Sequence, residues 1–264
     1  MNNNWFLWNG VDSRSLGIIV DQYPALTRPK ERVDSIVIPG RQGALYFAEA
    51  DEPMYETFIM NVPCFLAKNA SPGVVARFLS GSGTLVLGCF PDRAVEARIV
   101  NKLDYNILLF HRKQMSFTIP FECQPLRLEY PETSRVLSTR TVGGEEVRSG
   151  FVTNVGDFTA HPVYRLYSDF TVETYTLTVG NTTITVSMEG AEEEEEAGYA
   201  ERRLLIDTDA YIVENLNTGV EIMTSTTIDG DGMEGLYFPL GDSEVSWGEG
   251  ITRVEIFPRW RWYL

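Results

Sequence analysis

The most restrictive feature of the chain is a two-residue alternation of apolar and polar side chains over long stretches. Between Met115 and Cys123 every second residue is apolar, which is the period of a β-strand with one buried face. The final segment, Arg253–Leu264, alternates in the same way, and Pro258 within it predicts an edge strand or a bulge. We expect Trp260 and Trp262, which share a face in this segment, to fill a sandwich core.

Helical patterns are scarce, and the one clear example is short. Ser71 is suited to the N-cap, Pro72 to the first turn and Gly81 to the stop. Gly180-Asn181, between two further alternating runs, is typical of a two-residue β-hairpin turn. The sequence therefore predicts a mainly β fold with one short amphipathic helix, whose apolar face comprises Val74, Val75, Phe78 and Leu79.

Charge is divided unevenly along the chain. Residues 1–130 contain 13 Lys+Arg and 13 Asp+Glu, whereas residues 131–264 contain 9 and 24 and so account for the whole net charge of −15. We predict two domains over these ranges: an N-terminal β-sandwich or β-barrel-like domain with the helix, and a C-terminal β-sandwich. The acidic half should repel nucleic acid and anionic membranes, so we expect neither as a partner.

Targeting and membrane signals are weak. No apolar run approaches the length needed to span a bilayer, and the opening MNNNWFLWNG lacks the features of a secretory signal. We therefore expect synthesis and folding in a cytoplasm.

Residues that could carry chemistry are few. The cysteines, Cys64, Cys89 and Cys123, are widely spaced in apolar surroundings, which indicates buried reduced thiols in strands. His111 and His161 have no motif partner, and no GxSxG elbow occurs. The sequence predicts no enzyme, no catalytic residue, no cofactor and no metal site.

Three features of the second half suggest binding, and two of them have a simpler interpretation. The run Glu192–Glu196 is best explained as a solvated, self-repelling loop. The segment Asp229–Gly232 lacks the later ligands of an EF-hand, so an acidic turn is favoured. Trp247 is a possible glycan contact, because sugar faces stack on aromatic rings. It supports an alternative hypothesis of a glycan-binding accessory module.

The stretch VIPGRQGALY, from Val37 to Tyr46, could be either an anion-binding loop or a turn that redirects the chain. A phosphate-binding loop is followed by a helix and often by Lys-Ser/Thr, whereas an extended segment follows here. We therefore predict a turn in which Gly40 or Gly43 takes a positive φ and Arg41 points outward.

The order of short motifs in the first half resembles that of distal tail proteins (Dit) of long-tailed, non-contractile bacteriophages and their prophages. The elements that carry the resemblance are NG-x-x-S followed by GI, the PGR-x-G turn, and a late F-x-x-x-F-x-C-x-P, which begin at Asn9, Pro39 and Phe117. The second half is compatible with the galectin-like β-sandwich that such proteins often carry, although the glutamate run departs from the pattern.

The resemblance implies a structural hub at the phage tail tip. It implies a homo-hexameric ring built from the N-terminal domains, with the tail tube protein on one face and a tail-tip protein on the other. The C-terminal galectin-like domain would point outward, towards receptor-binding proteins or cell-wall glycans. Within this scheme Arg41 is a candidate for the ring-assembly surface, or for a brace of its own loop through a carboxylate.

Overall fold

The computed structural model describes residues 4–25, 28–47, 52–67, 70–100, 106–108, 114–188 and 197–263. The chain forms two compact units: the first comprises Met1–Pro131 with Trp262–Leu264, and the second comprises Glu132–Arg261. The predicted ranges, by contrast, assigned the last residues to the second domain. His111 and the run Glu192–Glu196 lie outside the described residues.

The first unit is built on an antiparallel nine-stranded sheet that curls into a half-barrel. The strands of the first unit before its helix are β1 (Phe6–Trp8), β2 (Val11–Asp12), β3 (Ile18–Val20), β4 (Asp34–Ile36), β5 (Leu45–Phe47) and β6 (Phe58–Leu66). The helix α1 (Pro72–Phe78) is followed by β7 (Ser82–Leu87), β8 (Arg93–Ile99), β9 (Asn106–Leu108) and β10 (Gln114–Glu129). A 3-10 turn covers Ser13–Leu16. The main order is β2-β1-β7-β8-β10-β6-β3, and β4 and β5 form a separate two-stranded sheet.

The long strand β10 is the centre of this sheet. It pairs with β6 from Met115 to Cys123 and with β8 along its second half, with a register shift between Cys123 and Arg127. Phe117, Phe121 and Cys123 are buried on one face, so the predicted alternation is confirmed. Around Phe121 the core is aromatic, with ring centroids 5.9 Å from Phe6 and 5.3 Å from Trp8.

The helix α1 covers one part of this core. Ser71 is its N-cap and Pro72 opens its first turn, as predicted. Val75 and Leu79 are buried, whereas Val74 is 42% exposed. The prediction that Val74 shares the buried face is wrong, because so short a helix presents only a narrow stripe to the sheet.

The second unit is a β-sandwich of a six-stranded and a five-stranded sheet, with a small hairpin beside them. The six-stranded sheet has the order β11 (Arg135–Ser138), β23 (Ile251–Phe257), β15 (Val163–Ser168), β18 (Arg202–Asp207), β19 (Ile212–Asn215) and β20 (Val220–Glu221). The five-stranded sheet has the order β14 (Ser149–Asn154), β22 (Gly241–Trp247), β16 (Thr174–Val179), β17 (Thr182–Ser187) and β21 (Thr226–Asp229). The hairpin joins β12 (Arg140–Val142) to β13 (Glu145–Val147), and 3-10 turns cover Met223–Ser225 and Gly232–Leu236.

Aromatic residues fill the core of the second unit. Tyr164 packs edge-on against Phe238 at 5.8 Å, and the next ring in line is Trp260, which is 1% exposed. The β16–β17 hairpin turns at Gly180, whose φ of +55° suits the first position of a tight turn, as predicted.

The C-terminal segment departs from prediction in two ways. Strand β23 lies between β11 and β15, so it is not an edge strand; it ends at Phe257, before Pro258 can interrupt the ladder. The last strand, β24 (Arg261–Trp262), pairs with β10. Trp262 therefore packs in the first unit, where the Arg93 guanidinium lies 3.6 Å from its ring centroid, and not in the sandwich core.

Candidate functional site

The hairpin formed by β4 and β5 is the main candidate for an interaction surface. Its strands pair only over Asp34–Ile36 and Leu45–Phe47, apart from the nine-stranded sheet. Between them Gly40 and Gly43 have φ values of +84° and +81°, so both glycines adopt the backbone that was predicted for one of them. The Arg41 N–H donates a hydrogen bond to the Ile38 carbonyl at 3.1 Å and closes the turn.

The hairpin exposes a run of large apolar side chains. Ile36 is 55% exposed, Val37 73%, Ile38 40% and, on the facing strand, Tyr46 73%. An isolated two-stranded hairpin is marginally stable in water, and clustered apolar exposure is typical of interaction sites. The hairpin is therefore suited to docking on another protein surface. The sequence contains a signal for this exposed apolar surface, which is the run of three β-branched residues directly before the Pro39-Gly40 turn.

The base of the hairpin is anchored by ladder-like contacts. The Arg32 N–H donates to the Met54 carbonyl at 2.7 Å, and the Glu56 N–H donates to the Lys30 carbonyl at 2.8 Å. The side chains of Lys30 and Glu56 form an ion pair at 3.0 Å. These contacts extend the pairing below the hairpin, and residues 30–47 together with 52–56 are called the arm.

The C-terminal residues hold this arm in the first unit. The hydroxyls of Tyr55 and Tyr263 are 2.7 Å apart, and their rings meet edge to face at 5.5 Å. The Arg28 guanidinium donates to the Tyr55 hydroxyl at 3.1 Å and lies 4.8 Å from the ring centroid of Tyr263. The arm therefore starts from a fixed base.

Arg41 lies exposed in the turn at the tip of the hairpin. We also predicted that Arg41 could brace its own loop through a carboxylate. Among the described residues no carboxylate forms an ion pair with Arg41. Its role in assembly stays a prediction.

Trp247 occupies a different environment from the open aromatic site that we considered. Its side chain is 6% exposed, on the inner face of β22, and its indole N–H donates to the Thr139 hydroxyl at 2.9 Å. The structure corrects the proposed glycan contact, because a ring buried in the sandwich leaves no face on which a sugar can stack. The alternation of β22, with Ser243 and Val245 also buried, already predicts this position.

The cysteines do not form a redox or metal site among the described residues, and all are free thiols. Cys64 and Cys123 are buried in strands, and burial raises the pKa of each to about 12. Cys89 differs from the prediction: it is half-buried in the turn after β7, although burial also raises its pKa. Thiols with raised pKa values are poor nucleophiles.

His161 belongs to a surface network in the second unit. Its Nδ1 lies 2.6 Å from the Asp209 carboxylate and its Nε2 lies 3.0 Å from the Arg261 guanidinium. Its ring stacks on Tyr237 at 3.9 Å. Both ring nitrogens therefore have partners within the second unit.

The motifs that carried the family resemblance are explained by packing and turn geometry. Asn9 has a φ of +50°, and its side-chain oxygen accepts from the Thr84 N–H at 2.9 Å. The Ser13 hydroxyl accepts from the Phe6 N–H at 3.2 Å. Gly17 has a φ of +74°, and a Cβ there would lie 2.8 Å from that of Ala70. The motifs therefore encode the fold.

In the described part of the chain, no helix has the length and apolarity needed to cross a membrane. The same residues contain no group of three or more His, Cys, Asp or Glu side chains arranged to hold a metal ion.

Comparison with solved structures identifies the architecture. No protein-family model matches the sequence, and no curated protein matches it significantly. The Dit protein of phage SPP1, described as a paradigm of the hub adsorption apparatus in phages that infect Gram-positive bacteria, matches with a TM-score of 0.65 and 14% identity. The match covers 96% of this chain and 97% of that chain. The chain has a Dit-like fold.

The Dit-like fold also matches a chain from the baseplate of phage P2 in its activated conformation with Ca. That match has a TM-score of 0.55 and 8% identity, and it covers 96% of each chain. The family resemblance and the mainly β fold that we predicted are therefore confirmed at the level of the fold.

Proposed function

We propose that this chain is a non-enzymatic structural protein of a phage tail tip, located in the virion within the hub or baseplate that carries the adsorption apparatus. The observation that carries the proposal is the extent of the Dit-like fold: both comparisons cover 96% of the chain and therefore both units. A match over one unit alone would support only a shared β-sandwich, which serves many functions.

In the proposed assembly, copies of the chain join as a hexameric ring through the first unit, and the arm makes the contact between neighbours. The exposed apolar side chains of the hairpin support this, because ring closure would cover them. The near-neutral charge of residues 1–130 also allows copies to pack without strong repulsion. The tail tube protein and a tail-tip protein would occupy the two faces of the ring.

The second unit has a separate proposed role. Its acidic β-sandwich, which we expect to be galectin-like, would contact receptor-binding proteins or host cell-wall glycans. The alternative, a glycan-binding accessory module, relied on Trp247, whose burial removes the aromatic face that it required.

Assembly can be tested directly by light scattering coupled to size exclusion and by negative-stain microscopy over a range of concentrations. We expect rings for the natural chain and their loss in Val37→Glu, because a buried charge would replace an apolar contact. Phe151→Glu is the matched control, since Phe151 is also highly exposed, at 69%, but lies in the second unit. Both variants should fold, because exposed substitutions change stability by about 0.5 kcal/mol or less.

Two results would contradict the proposal. One is a natural chain that stays monomeric at all concentrations and in the presence of a tail tube protein. The other is release of sugars from purified cell walls by the chain alone, which would show an enzyme.

A further inference from the structure

The turn between β18 and β19 in the second unit contains a tyrosine in an unusual backbone conformation. Tyr211 has a φ of +56°, and 46% of the residue is exposed. A positive φ favours glycine or asparagine, whereas a bulky side chain there strains the backbone. A ring that is so exposed gains little packing energy to offset the strain. The stability of the turn therefore does not explain why a tyrosine occupies this position.

A second strained residue contacts the same turn. Among the described residues other than glycine, only Asn9, Tyr211 and Arg259 have a positive φ, and asparagine tolerates it. Arg259, with a φ of +53°, donates to the Asp207 carboxylate at 3.2 Å. That carboxylate also accepts from two backbone N–H groups of the turn, at 3.1 and 3.0 Å. Both strained residues therefore meet at one fixed loop, and strain of this kind is concentrated at ligand-binding sites.

Polar groups and rings surround Tyr211 on one surface. Its hydroxyl donates to Glu234 Oε1 at 3.2 Å and lies 3.3 Å from the Tyr237 hydroxyl. Tyr237 stacks on His161 at 3.9 Å, and the His161 ring lies 2.6 Å from the Asp209 carboxylate. Because Asp209 and Tyr211 belong to the same turn, this series of contacts closes on itself. The five residues therefore form a single patch, which we call the Tyr211 patch.

The chemistry of the Tyr211 patch suits a sugar. The apolar face of a pyranose ring stacks on an exposed aromatic ring, and sugar hydroxyls donate to carboxylates beside it. Glu234 is exposed, as is 52% of the Asp209 side chain. The Arg261 guanidinium, 3.3 Å from Asp209, adds donors for sugar oxygens. A protein interface has an apolar centre instead, whereas charged groups surround the exposed ring of Tyr211.

We infer that the Tyr211 patch binds a neutral saccharide. Tyr211 stacks on the sugar ring, Glu234 accepts from a sugar hydroxyl, and His161 is a positioning residue that holds Tyr237. The inference rests on the proposed function, in which the second unit contacts host cell-wall glycans, and it gives that contact a site. This site lies beside the six-stranded sheet, whereas Trp247 is buried on the five-stranded sheet.

The test measures binding of neutral oligosaccharides to the full chain by saturation-transfer NMR, with titrations to obtain the Kd. The probes are homo-oligomers of glucose, galactose, mannose and N-acetylglucosamine. The natural chain should bind at least one of them with a Kd of about 1 mM or lower. Tyr211→Gly should raise that Kd at least about tenfold, because the ring is lost. Glu234→Gln, which removes only the charge, should raise it at least about threefold.

Stability measurements separate a binding role of Tyr211 from a structural one. Glycine adopts the φ of +56° without strain, so Tyr211→Gly should leave the urea midpoint of unfolding unchanged or raise it. Tyr199→Gly is the matched control. Tyr199 is 37% exposed in the same unit, and its hydroxyl donates to the Asn217 carbonyl, beyond the other end of β19. This control should lower the urea midpoint and change the Kd less than about twofold.

Three results would overturn the inference. The first is a natural chain that binds none of the oligosaccharides at millimolar concentration. The second is an equal Kd for the natural chain and Tyr211→Gly. The third is a lower urea midpoint for Tyr211→Gly, which would show that the ring stabilises its own fold. Weaker ring assembly in Tyr211→Gly, without sugar binding by the natural chain, would assign the patch to a protein partner.

Sugar binding is measured on the single chain, so this inference and the proposed assembly can fail separately. A chain that binds a sugar through Tyr211 but never forms rings would retain the patch and contradict the assembly. A chain that forms rings but binds no sugar would contradict the patch alone.

Discussion

Gly83 offers a sharp test of how the first unit is packed. A Cβ at this position of β7 would lie 1.7 Å from Oδ1, 2.4 Å from Cγ and 2.5 Å from Nδ2 of Asn9. Gly83→Ala therefore forces the Asn9 side chain away and breaks its hydrogen bond from the Thr84 N–H, which is 2.9 Å long. The substitution acts through Asn9 alone, so a second substitution at Asn9 can test the cause of its effect.

The expected magnitude follows from two opposing effects. Loss of the bond, which is open to solvent, costs about 0.5–1.5 kcal/mol. Replacing glycine with alanine in a strand returns about 0.5–1 kcal/mol. The two effects largely cancel, so the free energy of unfolding should fall by no more than about 1 kcal/mol.

A double-mutant cycle in urea checks the cause. Asn9→Gly removes the obstructing side chain and tolerates the φ of +50° at this position. In that background Gly83→Ala should stabilise the protein by about 0.5–1 kcal/mol, because only the effect of replacing glycine remains. Gly73→Ala is the control for the chemical change, because a Cβ on Gly73 meets nothing within 4 Å. An equal loss from Gly83→Ala in both backgrounds would refute the steric reasoning.

Two further predictions concern the hairpin tip and the thiols. Arg41→Ala should weaken ring assembly with little change in melting temperature, because its side chain is exposed; unchanged assembly in light scattering would remove Arg41 from the interface. In the native protein at pH 8, a maleimide should label Cys89 well before Cys64 or Cys123. Burial raises the pKa of Cys64 and of Cys123 to about 12, so roughly one thiol in ten thousand is ionised at either position. Mass spectrometry of peptides checks the order, and equal rates for the three would contradict their placement.

Local patterns were sufficient to predict several individual elements of secondary structure. The alternation of Met115–Cys123, the Gly180 turn and the Ser71-Pro72 helix start each reflect chemistry within a few residues, and all appear in the structure. The glycines around Arg41 were predictable for the same reason, since positive φ is a local property.

Properties that depend on distant residues were not predictable in this way. The alternation over Arg253–Leu264 correctly predicts that Trp260 and Trp262 are buried. It does not predict that the two side chains belong to different units. The alternation of β22 predicts that Trp247 is buried, but not that its indole N–H donates to Thr139, which is far away in sequence.

The chain returns to the first unit after the second unit ends, and this connection determines how easily the second unit could be exchanged during evolution. The second unit begins at Glu132 and ends at Arg261, and Arg259 Nε lies 3.5 Å from Glu132 Oε1, so its entry and exit are adjacent. The second unit is thus an inserted domain whose two ends lie close together. Such a domain can be exchanged or deleted without disrupting the domain into which it is inserted. Replacement of the second unit would leave Trp262 able to pair with β10 and complete the sheet of the first unit.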